Sequence, residues 1–130
     1  MNKRILIIDD DHVDQKMMKK SLEKAGFQII FTADSGEKGL EVARREKPQV
    51  VIVDTLLPGM DGHETCRQIK QLGPDDLKII ATTGAVDAVD AGRARKAGAD
   101  DYVVKTIDYA YVIAAVQKVI NEHSENSVEK

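Results

Sequence analysis

The sequence is poor in several things, and each shortage excludes a class of protein. One cysteine, Cys66, rules out an internal disulfide and fits a reducing compartment. Tryptophan is absent and there are only two Phe and three Tyr, so the core must be aliphatic. No apolar run is long enough for a membrane span: behind the basic Met1–Arg4 start, Ile5 to Ile8 is too short even for a signal peptide. Positive charge is not in excess. A net charge of −3 and a pI of about 5.6 argue against a surface that coats nucleic acid. With 130 residues, 42% hydrophobic and 32% charged, the expectation is one ordinary cytoplasmic domain with a real core. No repeat, low-complexity tract or linker interrupts it.

The chain reads as strand and helix in alternation. Val50–Val53 is a run of β-branched residues that suits a strand buried on both faces. Asp54 follows at once, and Pro58-Gly59 and Asp61-Gly62 then impose a tight loop. Ile5–Ile8 is a second such strand, running into Asp9-Asp10-Asp11. Asp11 is placed to cap a helix over Val13–Ala25, with Val13, Met17, Met18, Leu22 and Ala25 inward and Gly26 as its stop. A strand centred on 29–31 comes next. Asp34-Ser-Gly-Glu37 resembles a capping box for a helix over 35–46 with Leu40 and Ala43 inward. A third helix over 62–72 turns Cys66, Ile69 and Leu72 to one face, with Cys66 as a small core residue. Strands over 77–82 and 101–104 flank an Ala-rich helix over 86–97, whose sizeable apolar residues are Val86 and Val89, so it is weakly anchored. A final helix over 108–121 carries the stripe Tyr109, Val112, Ile113, Val116, Val119 and Ile120. Residues 1–121 form the domain; 122–130 form a polar, frayed tail.

Five strands alternating with five helices demand an α/β, doubly wound parallel sheet with right-handed crossovers. The strand order 2-1-3-4-5 brings Asp9, Asp10 and Asp54 to one crevice at the switch point, with Thr83 and Lys105 opening onto its other side. Crowded carboxylates repel by about 4 kcal/mol at 4 Å and an effective dielectric near 20, so the cluster needs a cation. Oxygen donors without Cys or His suit Mg²⁺. A carboxylate can itself act as nucleophile and form an acyl phosphate, with Lys105 and Thr83 each serving a phosphoryl oxygen.

Together, Ile5-Leu-Ile-Ile-Asp9-Asp10, Asp54-x-x-x-Pro58-x-Met60-Asp61-Gly62, Thr83-Gly84 and Tyr102-x-x-Lys105 resemble the receiver domain of bacterial two-component response regulators, the flavodoxin-like stand-alone chemotaxis type included. The likeness spans about Lys3 to Asn121. It implies a phosphorylation-activated switch, with Asp54 accepting a phosphoryl group from a sensor histidine kinase or phosphotransfer protein. By the same resemblance Asp9, Asp10, Asp54 and the Leu56 carbonyl hold Mg²⁺, Thr83 is the switch hydroxyl, Lys105 binds phosphate and Tyr102 is the aromatic switch. The readout would be the surface of helix four, strand five and helix five, offered to a downstream effector protein. That surface is also the family's common dimer surface, so a homodimer is among the partners the likeness allows. Direct contact with nucleic acid or membrane is not expected. Thr106 stands where the family usually has Pro, and a cis bond to a non-proline residue costs about 2.5–4 kcal/mol, which predicts a trans 105–106 bond.

Two other readings compete. One is a receiver fold used as a binding module without phosphorylation. The other is a haloacid-dehalogenase-like phosphatase built on Asp9-x-Asp11, opposed by the want of an acidic pair after Lys105. The phosphorylation-switch reading makes the chain a phosphoacceptor, not an enzyme beyond self-catalysed phosphotransfer and autodephosphorylation.

Overall fold

A computed structural model describes residues 3–129, with side chains over 3–121. Five parallel strands are ordered β2-β1-β3-β4-β5, as the alternation of elements predicts. They are β1 (Arg4–Ile8), β2 (Ile29–Ala33), β3 (Val50–Asp54), β4 (Lys78–Thr83) and β5 (Asp101–Val104). The helices are α1 (His12–Lys24), α2 (Gly36–Glu46), α3 (Gly62–Leu72), α4 (Ala88–Lys96) and α5 (Ala110–Glu129).

The period-two alternation of strand side chains divides the apolar interior in two. Ile5 and Ile7 of β1, with Val50 and Ile52 of β3, meet Met18 and Leu22 of α1 and Val112, Val116 and Val119 of α5. Leu6, Ile8, Val51 and Val53 face the other way, onto Leu40 of α2 and Cys66 and Ile69 of α3. β1 and β3 are buried on both faces, which is why they read as unbroken apolar runs. Burying each large side chain stabilises the fold by about 1.5–3 kcal/mol.

Several local expectations are corrected. In α1 only Met18 and Leu22 are buried; Val13, Met17 and Ala25 face out. The helix begins at His12 and seats the face of Met18 and Leu22 on the sheet, not the face of Val13 and Met17. Asp34 does not cap α2. Ser35 does, accepting from the Lys38 amide, while Asp34 pairs with the Lys38 ammonium. Leu72, in the last turn of α3, is largely exposed. α4 starts at Ala88 under an Asp87 cap, so Val86 lies outside it and Val89 points to solvent. Only Ala94 of α4 is buried, in keeping with its expected weak anchoring. α5 begins at Ala110 and runs past Asn121 to Glu129; the side chains of the expected polar tail, 122–130, lie outside the described residues. Cys66 is buried as expected, and burial pushes its thiol up to about 12. No cis peptide occurs among the described residues, so the Lys105–Thr106 bond is trans as predicted.

Candidate functional site

The carboxyl ends of β1, β3 and β5 gather the charged side chains. β1 ends at Ile8, and the Asp9 amide still pairs with the Ala33 carbonyl of β2 at 3.0 Å. This keeps Asp9 in line with the strand, and its side chain is fully buried. The Asp11 amide donates to Asp9 Oδ1 at 2.9 Å, while Asp11 caps α1 through the Val13 and Asp14 amides. Asp10 is exposed at the rim. Asp54 closes β3 and is also buried. Its Oδ1 accepts from the Leu56 amide at 2.9 Å, so the loop after the strand fixes the carboxylate. Gly62 is needed at the start of α3: a Cβ there would overlap the Asp54 carbonyl and the Thr55 backbone. Any larger residue would push α3 away from Asp54.

Carboxylate oxygens of Asp9, Asp10 and Asp54 lie within 4.8 Å of one another. The donor set is all hard oxygen, partly buried and open at Asp10, which fits Mg²⁺ better than a softer ion. Burial is the main reason that the Asp9 carboxyl is raised to about 6, against the opposing pull of Lys105 and the Asp11 amide. Such a group is eased by a cation.

Lys105 supplies one in this structure. Its amide continues the β4–β5 ladder by donating to the Thr83 carbonyl at 2.8 Å, and its side chain returns into the pocket. Nζ donates to Asp9 Oδ2 at 2.8 Å, Asp54 Oδ2 at 3.0 Å and Asp14 Oδ2 at 2.8 Å. Burial lowers the ammonium's affinity for its proton, but bonds to Asp14, Asp9 and Asp54 outweigh it and the group is held well above its ordinary range.

Thr83 and Tyr102 lie at the far side. The Thr83 hydroxyl donates to the Ala85 carbonyl at 2.8 Å and accepts from the Ala85 amide at 3.2 Å. It is therefore turned into its own loop. Tyr102 Oη donates to Asp90 Oδ2 of α4 at 2.8 Å, and the ring is half buried. The other Asp90 oxygen meets His63 Nε2 of α3 at 2.8 Å. Partial burial raises the Asp90 carboxyl, yet its bonds with Tyr102 and His63 prevail and leave it below the usual carboxylate range.

Asp14, Tyr109, His63 and Asp90 did not stand out in the sequence. Asp14 resembles an ordinary acid in a first helical turn, where the helix dipole favours it. Its signal lay in register: the buried Met18 and Leu22 extrapolate four residues back to position 14. Tyr109 belongs to the apolar stripe of the sequence and is buried as that predicts, but its hydroxyl also donates to Asp14 Oδ1 at 2.5 Å. The His63–Asp90 contact joins two helices and carries no local signature.

The chain is similar to known regulators in sequence and to known receiver domains in fold. It is 35% identical over 125 residues to the transcriptional regulatory protein AfsQ1 of Streptomyces coelicolor, covering 96% of this chain and 54% of that protein. It is 34% identical over 120 residues to the alkaline phosphatase synthesis transcriptional regulatory protein PhoP of Bacillus subtilis, covering 92% and 49%. The chain thus spans about half the length of these curated relatives. Both are named transcriptional regulators, so the expectation of no direct nucleic-acid contact draws no support from them. Among solved structures, a CheY-like response regulator receiver domain protein from Methanospirillum hungatei superposes with a TM-score of 0.87 at 27% identity, over 97% of this chain and 99% of that one. The BeF3-activated receiver domain of DrrB, a Thermotoga maritima protein, gives 0.81 at 30%, over 93% and 99%. The family described as the response regulator receiver domain matches residues 5–117, nearly the whole folded chain. A fold that sets a carboxylate at the end of its central strand, with acids and a lysine around it, is here the fold of a signalling family and not of a conventional enzyme: the chain belongs to the response regulator receiver domains of two-component systems.

Proposed function

We propose that this chain is a phosphorylation-activated switch in which Asp54 accepts a phosphoryl group from a phosphohistidine of a sensor kinase or phosphotransfer protein. The observation that carries this reading is the convergence of Asp9, Asp10 and Asp54, with the Lys105 ammonium 3.0 Å from the Asp54 carboxylate. In the transfer an Asp54 oxygen forms the O–P bond as the P–N bond breaks, and the imidazole nitrogen keeps the electron pair. Asp9, Asp10 and Asp54, with the Leu56 carbonyl, would hold Mg²⁺. When bound, the ion neutralises the crowded acids and the charge of the incoming phosphoryl group. The remaining work falls to the chain. Lys105 directs a proton-rich cation at one phosphoryl oxygen, and the Leu56 amide orients the nucleophile.

Phosphorylation adds about −1.5 to −2 charges and three strong acceptors at Asp54. Thr83 then exchanges the Ala85 carbonyl for a phosphoryl oxygen, which moves its hydroxyl out of its own loop. Tyr102 leaves Asp90 and rotates, so the surface of α4, β5 and α5 changes for an effector or for a second copy. The family's match covers residues 5–117, which include every residue of this proposed switch.

Incubation with acetyl phosphate and Mg²⁺, read by intact mass, tests the reading. One phosphoryl adduct is expected, absent in Asp54→Asn. No adduct on the natural sequence would instead favour a binding module that works without phosphorylation.

A further inference from the structure

Among the described residues Lys105 has three carboxylate partners, and of these Asp9 and Asp54 belong to the three-acid cluster suited to a divalent ion. The third, Asp14, stands outside that cluster on the first turn of α1. It is held from three directions. Its amide is tied to the Asp11 cap at 3.1 Å, its Oδ2 meets Lys105 Nζ at 2.8 Å, and its Oδ1 accepts from Tyr109 Oη at 2.5 Å. Tyr109 is buried, and its φ of 57° is left-handed, a conformation that costs a non-glycine residue free energy and persists only where surroundings enforce it. Its amide donates to the Thr106 carbonyl and its carbonyl receives the Ile113 amide, so the turn after Lys105 delivers this hydroxyl to Asp14 at the entrance to α5.

The ammonium and a divalent ion compete for the same oxygens. Once Asp9 and Asp54 face a doubly charged ion, their hold on Lys105 weakens and the two cations repel each other. Without a further anion the flexible lysine would swing to solvent, with the rotamer freedom of its four-carbon stem favouring departure. We infer that Asp14 is a positioning residue that keeps the Lys105 ammonium at the pocket while Asp9 and Asp54 serve the ion, and that Tyr109 aims its carboxylate. The inference rests on the proposed role of Asp54 only for its kinetic consequence; the position of Lys105 can be read without any phosphoryl transfer.

Two measurements on the full chain test it. In the first, the ζ-ammonium resonance of Lys105 is followed by ¹⁵N NMR with and without Mg²⁺. The natural sequence should keep a protected signal in both conditions, and Asp14→Asn should lose it only with Mg²⁺. Loss of the signal in the natural sequence on adding Mg²⁺, or its persistence in Asp14→Asn, overturns the inference. In the second, adduct formation from acetyl phosphate is timed at saturating Mg²⁺. Removing a charge-assisted bond that orients the reacting geometry should slow Asp14→Asn by about tenfold. Tyr109→Phe, which keeps the charge, should be slowed by less. In a Lys105→Met background Asp14→Asn should have no further effect. A carboxylate acting as background charge has the opposite sign, because its removal would lessen repulsion of the acetyl phosphate anion and speed the reaction. A faster or unchanged Asp14→Asn, or equal slowing with and without Lys105, therefore overturns the inference. Should Asp14→Asn fail to fold, Tyr109→Phe carries both measurements. If the natural sequence takes no phosphoryl group at all, the reading of Asp54 falls while the NMR result still decides the role of Asp14.

Discussion

The two sides of this molecule are held by different physics. On the α1/α5 face, Met18, Leu22, Val112, Val116 and Val119 are all buried against Ile5, Ile7 and Ile52. At the α4 edge only Ala94 is buried, Val86 and Val89 face solvent, and the helix is tied through Asp90 to Tyr102 and His63. Apolar packing has no second arrangement of equal energy, whereas hydrogen bonds to one carboxylate can be exchanged for others at small net cost. A region that must change shape is better built in the second way. The pocket lies between the two, with Lys105 and Asp14 tying it to the α1/α5 side and Thr83 bonded to its own loop on the α4 side.

The sharpest way to break this contrast is to cut into each side in turn. Leu22→Ala, on the rigid face, should lower unfolding free energy by about 2–5 kcal/mol in urea titration. A loss under 1 kcal/mol would mean that the face is far more yielding than its burial indicates.

The pocket comes next in size. The folded Asp9 carboxyl is raised to about 6, so the folded chain holds this proton more tightly than the unfolded one. Its contribution to stability is therefore full below pH 4 and is lost as pH rises through 6, a fall of about 3 kcal/mol without metal. Asp14 and Asp90 are lowered and have the opposite sign, their contribution being lost below about pH 4. Between pH 4 and 6 the slope should belong to Asp9. Chemical denaturation across that window should show it, and Asp9→Asn should flatten it while raising stability at pH 7. An unchanged slope in Asp9→Asn would place the titration elsewhere.

The smallest global effect is expected at the α4 edge. Asp90→Asn should cost about 1 kcal/mol overall, since one acceptor oxygen remains, yet amide exchange in α4 should quicken selectively. Val89→Ala should stay within about 0.5 kcal/mol, as exposed positions do. If Asp90→Asn left α4 exchange untouched, the helix would owe its place to something other than that carboxylate.

Much of this was legible beforehand because strands buried on both faces announce themselves as apolar runs, as Ile5–Ile8 and Val50–Val53 do. Alternating elements then leave few topologies, and the order 2-1-3-4-5 places Asp9, Asp10 and Asp54 together without further information. Local phasing was less legible. Val13 and Met17 looked as suitable for the core as Met18, and the rotation at which α1 seats on the sheet decided against them. Asp34 and Ser35 are both good caps, and the choice between them lay with the backbone.

What the amino-acid sequence determined by itself was the layer architecture and the three acids with Lys105, because each follows from periodicity or from the residue that ends a strand. What only the tertiary structure decided was who stands beside them. Asp14 meets Lys105 and Tyr109 from 91 and 95 residues away, and His63 meets Asp90 across 27. Such contacts depend on how far α1, α3, α4 and α5 are rotated about their axes when their apolar faces seat on the sheet, and no local pattern of residues encodes that angle.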